Sequence, residues 1–377
     1  MKKLFCTVLL VVVTGTAAFA QVDVEHRRVL SLQTSHAIGS SQERLGGFGY
    51  FWFNKNNFPC TNTALRIIFA GIYADAELSW FLPCSTNTAL GIGLGGGTFV
   101  NDIAPYWDGR RLYGQEFEGD IANARIFINQ TIPNPTPLPL NVRLTYSPTF
   151  QMFHATDNTR AFDRPRDFFA HTFLGEIRFG GIEPGLTKTR GLELYVSAET
   201  SHRAGFDAFG PTAARYPLHR DYQRFFASLG GKLPAGPITV SARVAGGSTH
   251  NVDVLNAWKL GGNLVGTDDY ALTLHGYYIR EIFAESFYIA NLDIGIPLLE
   301  NRKLVAHLYA DNANAKVLDP RTGMTGNWHN FLGVGAGLGF PVWWDVNVLV
   351  SYGYGVNAVR YDRHGGHEVG IALEKNF

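Results

Sequence analysis

Hydrophobic residues alternate with polar or small residues along most of the chain. In the C-terminal stretch HEVGIALEKNF, the residues Val369, Ile371, Leu373 and Phe377 all belong to one set of alternate positions. The same period of two recurs in GLELYVSAE, ITVSARVAG, LGVGAGLGF and DVNVLVSYGYGV. Successive side chains of a β-strand point to opposite faces, so this pattern indicates strands with one apolar and one polar face. We therefore predict an all-β protein.

The alternating segments are about 10 residues long, which is the length of a tilted strand that crosses a membrane. A soluble β-sandwich would also alternate, but it would not require bulky residues on one face of nearly every strand. After residue 20, no segment stays apolar for the roughly 20 residues that a membrane-spanning helix needs. The predicted fold class is therefore a transmembrane antiparallel up-and-down β-barrel.

Two kinds of connection alternate between the predicted strands. Short turns rich in proline or glycine include FPCTN, LPCSTN, IPNPTP, LPAGP, LLENR and PVWWD. Longer polar segments lie around residues 100–113, 153–167, 203–220, 250–283 and 313–329. Barrels of bacterial outer membranes have short periplasmic turns and long outer loops, so counting back from Phe377 gives about 16 strands and places both chain ends at the periplasmic side.

Residues 1–20 have the form of a secretory signal peptide. A basic start, MKK, precedes a short apolar run that closes with the small-x-small site AFA, so we expect the mature chain to begin at Gln21. A retained membrane anchor is the alternative interpretation. Residues 21–377 contain no linker, charge run or low-complexity segment, which predicts one barrel domain.

Charge and composition narrow the function classes. Removal of the signal takes away two of the 32 basic residues and none of the 32 acidic residues, leaving 30 against 32. This balance gives no polycationic surface, so we expect no nucleic-acid partner. Among the 7 tryptophans, Trp343 and Trp344 lie in a predicted periplasmic turn, which is typical of interfacial aromatic girdles. A polar barrel interior is predicted to contain Arg66, Arg143, Arg178, Arg243, Glu176, Glu193 and Glu199.

The C-terminal part of the chain resembles a known family of barrels. The motifs are LGG at 260–262, LHGYY at 274–278, FYIANLDIGIPL, VAHLYADNA, NFLGVGAGLGF and the final GYGVNAVRYDRHGGHEVGIALEKNF. In this order and spacing, over roughly residues 238–377, they resemble the BamA-type superfamily, also called the bacterial surface antigen family. The last stretch is most similar to the barrels of patatin-like surface phospholipases. The POTRA and patatin domains of that family have no counterpart here, so the resemblance implies a barrel-only branch.

The resemblance implies a site in the sixth outer loop. In the family this long loop folds back into the lumen, and an arginine at its tip pairs with an acid of the wall. The corresponding residues are the loop start Leu260, Gly261 and Gly262, the tip Leu274, His275, Gly276 and Tyr277, and the acceptor Asp311. Because His275 replaces the arginine, we expect a histidine–aspartate pair, with Arg280 or another nearby cation as the alternative. The resemblance also implies that the insertion machinery recognises Phe377 as a C-terminal barrel signal.

A local repeat suggests a disulfide. FPCTNTAL and LPCSTNTAL place Cys60 and Cys84, the two cysteines outside the signal, in successive turns on the same side. Because the periplasm is oxidising, we predict that they are bonded to each other. Two buried thiols are the alternative.

Other motifs have structural explanations. GIGLGG at 91–96 matches a nucleotide-binding pattern, but no helix follows it, so small lumen-facing residues of a strand explain it better. His364, His367 and Glu368 border a hairpin, and we interpret them as a solvated loop without a metal. We expect no catalysis and no cofactor. A serine, histidine and acid on separate strands are the alternative that would make the barrel an enzyme.

Three functional hypotheses follow. In the first, the protein assembles outer-membrane proteins or lipids, or translocates a polypeptide, in the bacterial outer membrane. In the second it is a passive pore for small solutes, and in the third it is an enzyme or a surface-binding barrel. The expected partners are outer-membrane lipid, the barrel insertion machinery during biogenesis, and a periplasmic protein or a second copy of the chain.

Overall fold

A computed structural model describes residues 26–38, 46–83, 85–99, 102–180, 191–213, 215–263, 272–299, 303–360 and 363–377. The expected signal peptide, 1–20, lies outside these residues. Within them, no helix has both the length and the apolar character needed to cross a membrane.

Within the described residues, sixteen long strands form one antiparallel sheet that closes on itself. The long strands are β1 Arg27–Ala37, β2 Gly46–Asn56, β3 Thr63–Phe69, β4 Tyr73–Leu82, β5 Ser85–Gly97, β8 Phe117–Ile132, β9 Leu140–Ala155, β11 Phe168–Phe179, β12 Gly191–Ala204, β14 Asp221–Ala235, β15 Ile238–His250, β17 Ile282–Pro297, β18 Val305–Asp319, β19 Met324–Pro341, β20 Asn347–Arg360 and β21 Arg363–Asn376. The short strands are β6 Tyr106–Trp107, β7 Arg110–Arg111, β10 Phe162–Asp163, β13 Gly210–Pro211 and β16 Trp258–Leu260.

Each long strand pairs with the next one along the chain, and β21 returns to β1. The pairing of β1 with β21, here called the seam, runs from Val29 opposite Asn376 to Ala37 opposite Glu368. The backbone N–H of Phe377 donates to the carbonyl oxygen of Arg28 at 3.0 Å, which extends the seam to the last residue. The predicted all-β, closed antiparallel barrel of about sixteen strands is confirmed.

The two faces of the sheet differ in chemistry, as the period of two requires. On β5, the large side chains Leu90, Ile92 and Leu94 are exposed on the outer face, whereas Gly91 and Gly93 are buried on the inner face. On β4, the inner face instead carries Asp75, Glu77 and Ser79, all buried. The outer face is therefore an apolar belt and the inner face is polar.

The connections follow the expected arrangement with one correction. The turns that end at residues 62, 237 and 346 lie at the same end as both described chain ends, and the long segments 98–116, 156–167, 205–220 and 251–281 lie at the other end, here called the outer end. The prediction of a long segment at 313–329 is wrong, because β18 and β19 continue through it and a turn at 320–323 joins them. The small side chains of Ala313 and Ala315 weaken the apolar signal there, although both are buried.

The outer loops pack together over the outer end of the barrel. Their core is largely aromatic and draws on four successive loops and the strand ends beneath them: Ile103, Phe117, Phe153, Phe162, Phe168, Ala170, Phe206, Phe209, Tyr216, Val252, Val254, Ala257, Phe283 and Leu318. The short strands β10 and β13 pair across two of these loops. A buried ion pair between Arg203 of β12 and Asp253 fixes the last of these loops, 251–281, to the wall. We call this assembly the outer cap.

Closure can be tested by crosslinking the seam. Leu32 and Leu373 are opposite each other on β1 and β21, so Leu32→Cys with Leu373→Cys, in a chain carrying Cys60→Ser and Cys84→Ser, should form a disulfide in the folded protein. The oxidised, boiled product should migrate differently from the reduced one on a denaturing gel. The control pair Leu32→Cys with Leu338→Cys joins strands that are not neighbours, and it should give no crosslink. Equal crosslinking of both pairs would contradict a closed barrel.

Candidate functional site: the tip of the sixth outer loop

The sixth outer loop connects β15 to β17 and is described from 251 to 263 and from 272 to 281. Its two described parts are held together by backbone hydrogen bonds. Leu274 N–H donates to the carbonyl oxygen of Gly262 at 2.9 Å, and Gly261 N–H donates to that of Leu272 at 3.2 Å. The predicted loop start therefore lies beside the predicted tip, Leu274–Tyr277.

His275 contacts the acid that the resemblance assigned to it. Its backbone N–H donates to Asp311 Oδ2 at 2.8 Å, and its ring Nδ1 lies 2.6 Å from the same oxygen. The other carboxylate oxygen of Asp311 accepts a hydrogen bond of 2.7 Å from the amide of Asn291. The imidazole stacks on the ring of Tyr309, with centroids 4.5 Å apart and planes inclined by 11°. These contacts fix the position of the ring, and the contact of Nδ1 with Asp311 determines its tautomer.

Burial and charge act in opposite directions on His275. Burial alone lowers its pKa, but the hydrogen bond and the charge of Asp311, with smaller contributions from Glu368 and Asp293, outweigh burial and raise the pKa above its ordinary value. The pair is therefore an imidazolium–carboxylate ion pair over a wider range of pH than an isolated histidine would allow.

Gly276 approaches the wall more closely than any other residue type could. Its φ is +81°, and a Cβ atom would lie well inside the van der Waals radius of the backbone of Tyr354 and Gly355. Its N–H donates to Glu368 Oε2 at 3.1 Å, and its carbonyl oxygen accepts from Arg360 Nη2 at 2.9 Å. The tip is thus bonded to the wall through its backbone on both sides.

Glycines of the wall make room for the tip. A Cβ atom added to Gly333 would lie 2.6 Å from the carbonyl oxygen of His275, and one added to Gly353 would lie 2.7 Å from the nitrogen of Gly276. Gly355 is equally close, with the carbonyl oxygen of Gly276 at 2.9 Å from such an atom. The alternating glycines of β19 and β20, which the sequence showed only as a strand pattern, therefore form a cradle.

Tyr277 anchors the tip on its other side. Its side chain is 1% exposed, and its hydroxyl donates to Asn357 Oδ1 at 2.7 Å. Its ring meets Phe331 edge to face, with centroids 5.9 Å apart. Asn357 lies in an irregular part of β20, between Gly355 and Val359, where the register with β21 shifts. Such a bulge re-aims side chains, and here it directs Asn357 towards the loop.

Arg360 and Glu368 are the site residues that the sequence did not predict. Arg360 of β20 bonds Glu281 at 2.7 Å and covers the ring of Tyr278 at 3.8 Å, so a cation of the wall also holds the loop. Glu368 of β21 accepts from Gly276 and from the backbone N–H of Asn263 at 3.1 Å, and also from the hydroxyl of Ser35 on β1. Alternation placed Glu368 on the last strand but did not extend to Arg360, and no local pattern indicates that either residue contacts a distant loop. The interpretation of Glu368 as part of a solvated loop is wrong, because its side chain is fully buried.

Among the predicted interior residues, Arg66, Arg143 and Glu176 form an ion-pair network away from the tip, and Arg178 and Glu199 make other polar contacts there. Arg66 pairs with Asp75 at 3.2 Å and with Glu77 at 3.0 Å, and Arg143 pairs with Glu77 at 2.8 Å. The side chain of Arg178 is 1% exposed and lies over the ring of Tyr195. The hydroxyls of Tyr195 and Tyr222 donate to Glu176 at 2.9 Å and to Glu199 at 2.8 Å. The network balances charge on one side of the interior.

Beside the tip lies a polar cavity of about 690 Å³. His275, Tyr309 and Asp311 line it, and it extends towards the short-turn end, where Lys232 and Glu374 line it. Glu193 and Arg243 of the predicted interior set also line it. The tip and its acceptor Asp311 are therefore part of the lining of this cavity.

Comparison with known proteins gives structural matches. The sequence matches no protein-family model and no curated protein. BamA from Haemophilus ducreyi lacking POTRA domains 1–3 matches with a TM-score of 0.58 at 12% identity, over 94% of this chain and 71% of that chain. CdiB from Acinetobacter baumannii matches with a TM-score of 0.57 at 10% identity, over 93% and 60%. CdiB from Escherichia coli matches with a TM-score of 0.52 at 12% identity, over 93% and 63%.

The chain has the fold of the BamA and CdiB barrels. It spans less than two thirds of the length of the two CdiB chains. At these identities the likeness concerns the fold alone, so the roles of the tip residues depend on the contacts described above.

The structure gives little support to two further sequence motifs, the histidine-rich hairpin and the cysteine pair. Among the described residues, no group of three or more histidine, cysteine, aspartate or glutamate side chains is arranged to hold a metal ion. His367, a candidate ligand, instead bonds the hydroxyl of Tyr352 at 2.6 Å. Cys60 is exposed with a free thiol in the turn between β2 and β3, and Cys84 lies outside the described residues, so the disulfide stays a prediction.

The raised pKa of His275 predicts a pH-dependent anchor. A group whose pKa is raised by folding stabilises the fold fully below its unfolded-state pKa, and it loses this contribution as pH rises through its folded-state pKa. Wild type should therefore exceed His275→Gln in stability by about 2 kcal/mol near pH 5.5, as for a buried charge-assisted hydrogen bond. The difference should shrink towards pH 9, measured as the midpoint temperature of the gel shift between folded and heated protein. A difference independent of pH would contradict the imidazolium.

The disulfide is tested by thiol counting. If Cys60 is bonded to Cys84, mature protein unfolded without reductant should react with no maleimide. After reduction it should react with two per chain, because the third cysteine, Cys6, lies in the expected signal peptide. Cys60→Ala should then expose one reactive thiol without reductant. Two reactive thiols in unreduced wild type would refute the bond.

Proposed function

We propose that this protein belongs to the BamA-type superfamily and lies in the bacterial outer membrane. Its sixth loop acts as a strap that lies inside the lumen, and the barrel handles outer-membrane proteins or lipids or passes a polypeptide. The relationship to the barrels of patatin-like surface phospholipases belongs to this proposal and rests on the C-terminal motifs.

The docked tip is the observation that carries the proposal. His275, Gly276 and Tyr277 bind side chains on the polar face of β18, β20 and β21, opposite to the apolar belt. In a closed barrel whose apolar face meets lipid, the polar face surrounds the lumen. A loop bonded to that face therefore occupies the interior. The backbone of the tip and the glycines of the cradle are complementary in shape, as expected for a specific docking contact rather than an incidental one.

The outer cap favours a barrel whose lumen is closed at rest over a passive pore whose lumen is always open. Its aromatic core joins four loops above the tip, so small solutes would meet two obstacles between the outer side and the polar cavity. A pore for solutes works through a continuous water-filled channel. We therefore place the passive pore second, and the proposal includes no catalytic step, cofactor or metal.

The proposed partners follow from the surfaces of the barrel. Outer-membrane lipid covers the apolar belt, and Trp343 and Trp344, which are 87% and 84% exposed, mark its periplasmic boundary. The insertion machinery would meet the last strand with Phe377. By likeness to the BamA and CdiB barrels, a periplasmic protein or a second copy of the chain is proposed as a further partner.

Planar-bilayer conductance tests the strap. Wild type should give a small, quiet conductance, whereas Gly276→Ala, whose added methyl group collides with the wall backbone, should undock the tip and give a larger, noisier one. The matched control is Gly175→Ala, since Gly175 lies on β11 with no atom closer than 3.5 Å to an added Cβ. A large conductance in wild type, unchanged by Gly276→Ala, would contradict the strap and favour the passive pore.

A further inference from the structure

Glu368 connects three parts of the molecule that are far apart in sequence. It is fully buried on β21, and its carboxylate accepts hydrogen bonds from Ser35 of β1 and from the backbone N–H groups of Asn263 and Gly276 in the sixth loop. Two of these three donors therefore belong to the loop and the third belongs to the first strand.

Glu368 also occupies a particular place along the seam. It is opposite Ala37, the last residue of β1, so it lies at the outer end of the pairing that closes the barrel. One step further, the N–H of Ile38 donates to the carbonyl oxygen of His367 at 2.8 Å. The carboxylate is thus located where separation of β1 from β21 would begin at the outer end.

Hydrogen bonds from these three donors stabilise the buried carboxylate of Glu368. Among the residues that the structure describes, no lysine, arginine or histidine forms a salt bridge with it, and His275 is the basic group that acts on it from nearby. A buried carboxylate that loses its hydrogen-bond donors is strongly destabilised and has to find water or another partner. Its geometry therefore depends on whether the loop is docked.

We propose that Glu368 couples docking of the loop tip to closure of the outer end of the seam. When the tip leaves, the carboxylate loses the N–H groups of Asn263 and Gly276 and turns towards water, and its bond to Ser35 is lost. The outer end of β1 then loses this side-chain bond to β21 and keeps its backbone ladder and the packing of Ala37 against Tyr106 and Tyr278. Coupling is reciprocal, so a loosened β1 must weaken the tip by the same factor.

Amide hydrogen exchange of the folded barrel tests the coupling from the loop side. Gly276→Ala undocks the tip without changing the sequence of β1 or Glu368. Amides at Ser35–Ala37 should then exchange roughly tenfold faster, the lower factor for one lost hydrogen bond to a charged group. Amides at Val29–Ser31, at the other end of the seam, should keep their wild-type rates. The control Gly175→Ala should change neither end. Faster exchange in the loop with unchanged exchange at Ser35–Ala37 would overturn the proposal.

The same measurement tests the coupling from the seam side, with a variant that leaves the loop intact. Ser35→Ala removes the hydroxyl that joins β1 to Glu368, and exchange at Gly276 and Tyr277 should rise by a similar factor. In a Glu368→Gln background, Gly276→Ala should add no further change at the seam, because the connecting group is already altered. Additive effects of Gly276→Ala and Glu368→Gln at Ser35–Ala37, or an unchanged tip in Ser35→Ala, would show that the tip and the seam are independent.

Discussion

Closure of the sheet is the constraint on which the rest of the structure depends. Within a bilayer no water satisfies backbone N–H and C=O groups, so strands can cross only if the last one returns to the first. The pairing of β1 with β21 meets this requirement from Val29 to the N–H of Phe377. A ring of sixteen strands is too wide for strand side chains alone to fill. The interior must therefore hold water or additional chain, and here the sixth loop contacts its wall.

Bringing a loop against a β-sheet creates a packing problem that glycine solves. A strand face normally projects a side chain at every second residue, which would keep the loop backbone several ångströms away. Gly333, Gly353 and Gly355 remove those side chains where the tip lies, so backbone meets backbone. Glycine weakens a strand through its conformational freedom and its missing side chain. The hydrogen bonds of Glu368 and Arg360 to Gly276 offset that weakness at the same place.

The sequence allowed the fold to be predicted because strand period and turn chemistry are local signals. They indicated the closed barrel, and they failed at 313–329, where alanines replace large apolar residues. The functional site was harder to predict from the sequence. The tip and Asp311 came from a resemblance, and their contact is present in the structure, but the pattern alone would not have paired residues 36 positions apart. Neither Arg360 nor Glu368 gave a signal for this contact. Each is a single charged residue in a strand, and its partner is a backbone atom of Gly276, 84 and 92 positions earlier.

The histidine at the tip changes how charge is distributed between loop and wall. An arginine at that position would remain charged after undocking, because a guanidinium does not lose its proton in proteins. Here the permanent cation, Arg360, belongs to the wall, where Glu281 and the ring of Tyr278 engage it, and the tip itself carries only a titratable imidazole. Away from Asp311, His275 can lose its proton near neutral pH, so the released tip, Leu274–Tyr277, then carries no charge. The wall then keeps Asp311 and Glu368 uncompensated by the loop. Formation of the ion pair on re-docking therefore requires His275 to take up a proton again, so docking weakens as pH rises.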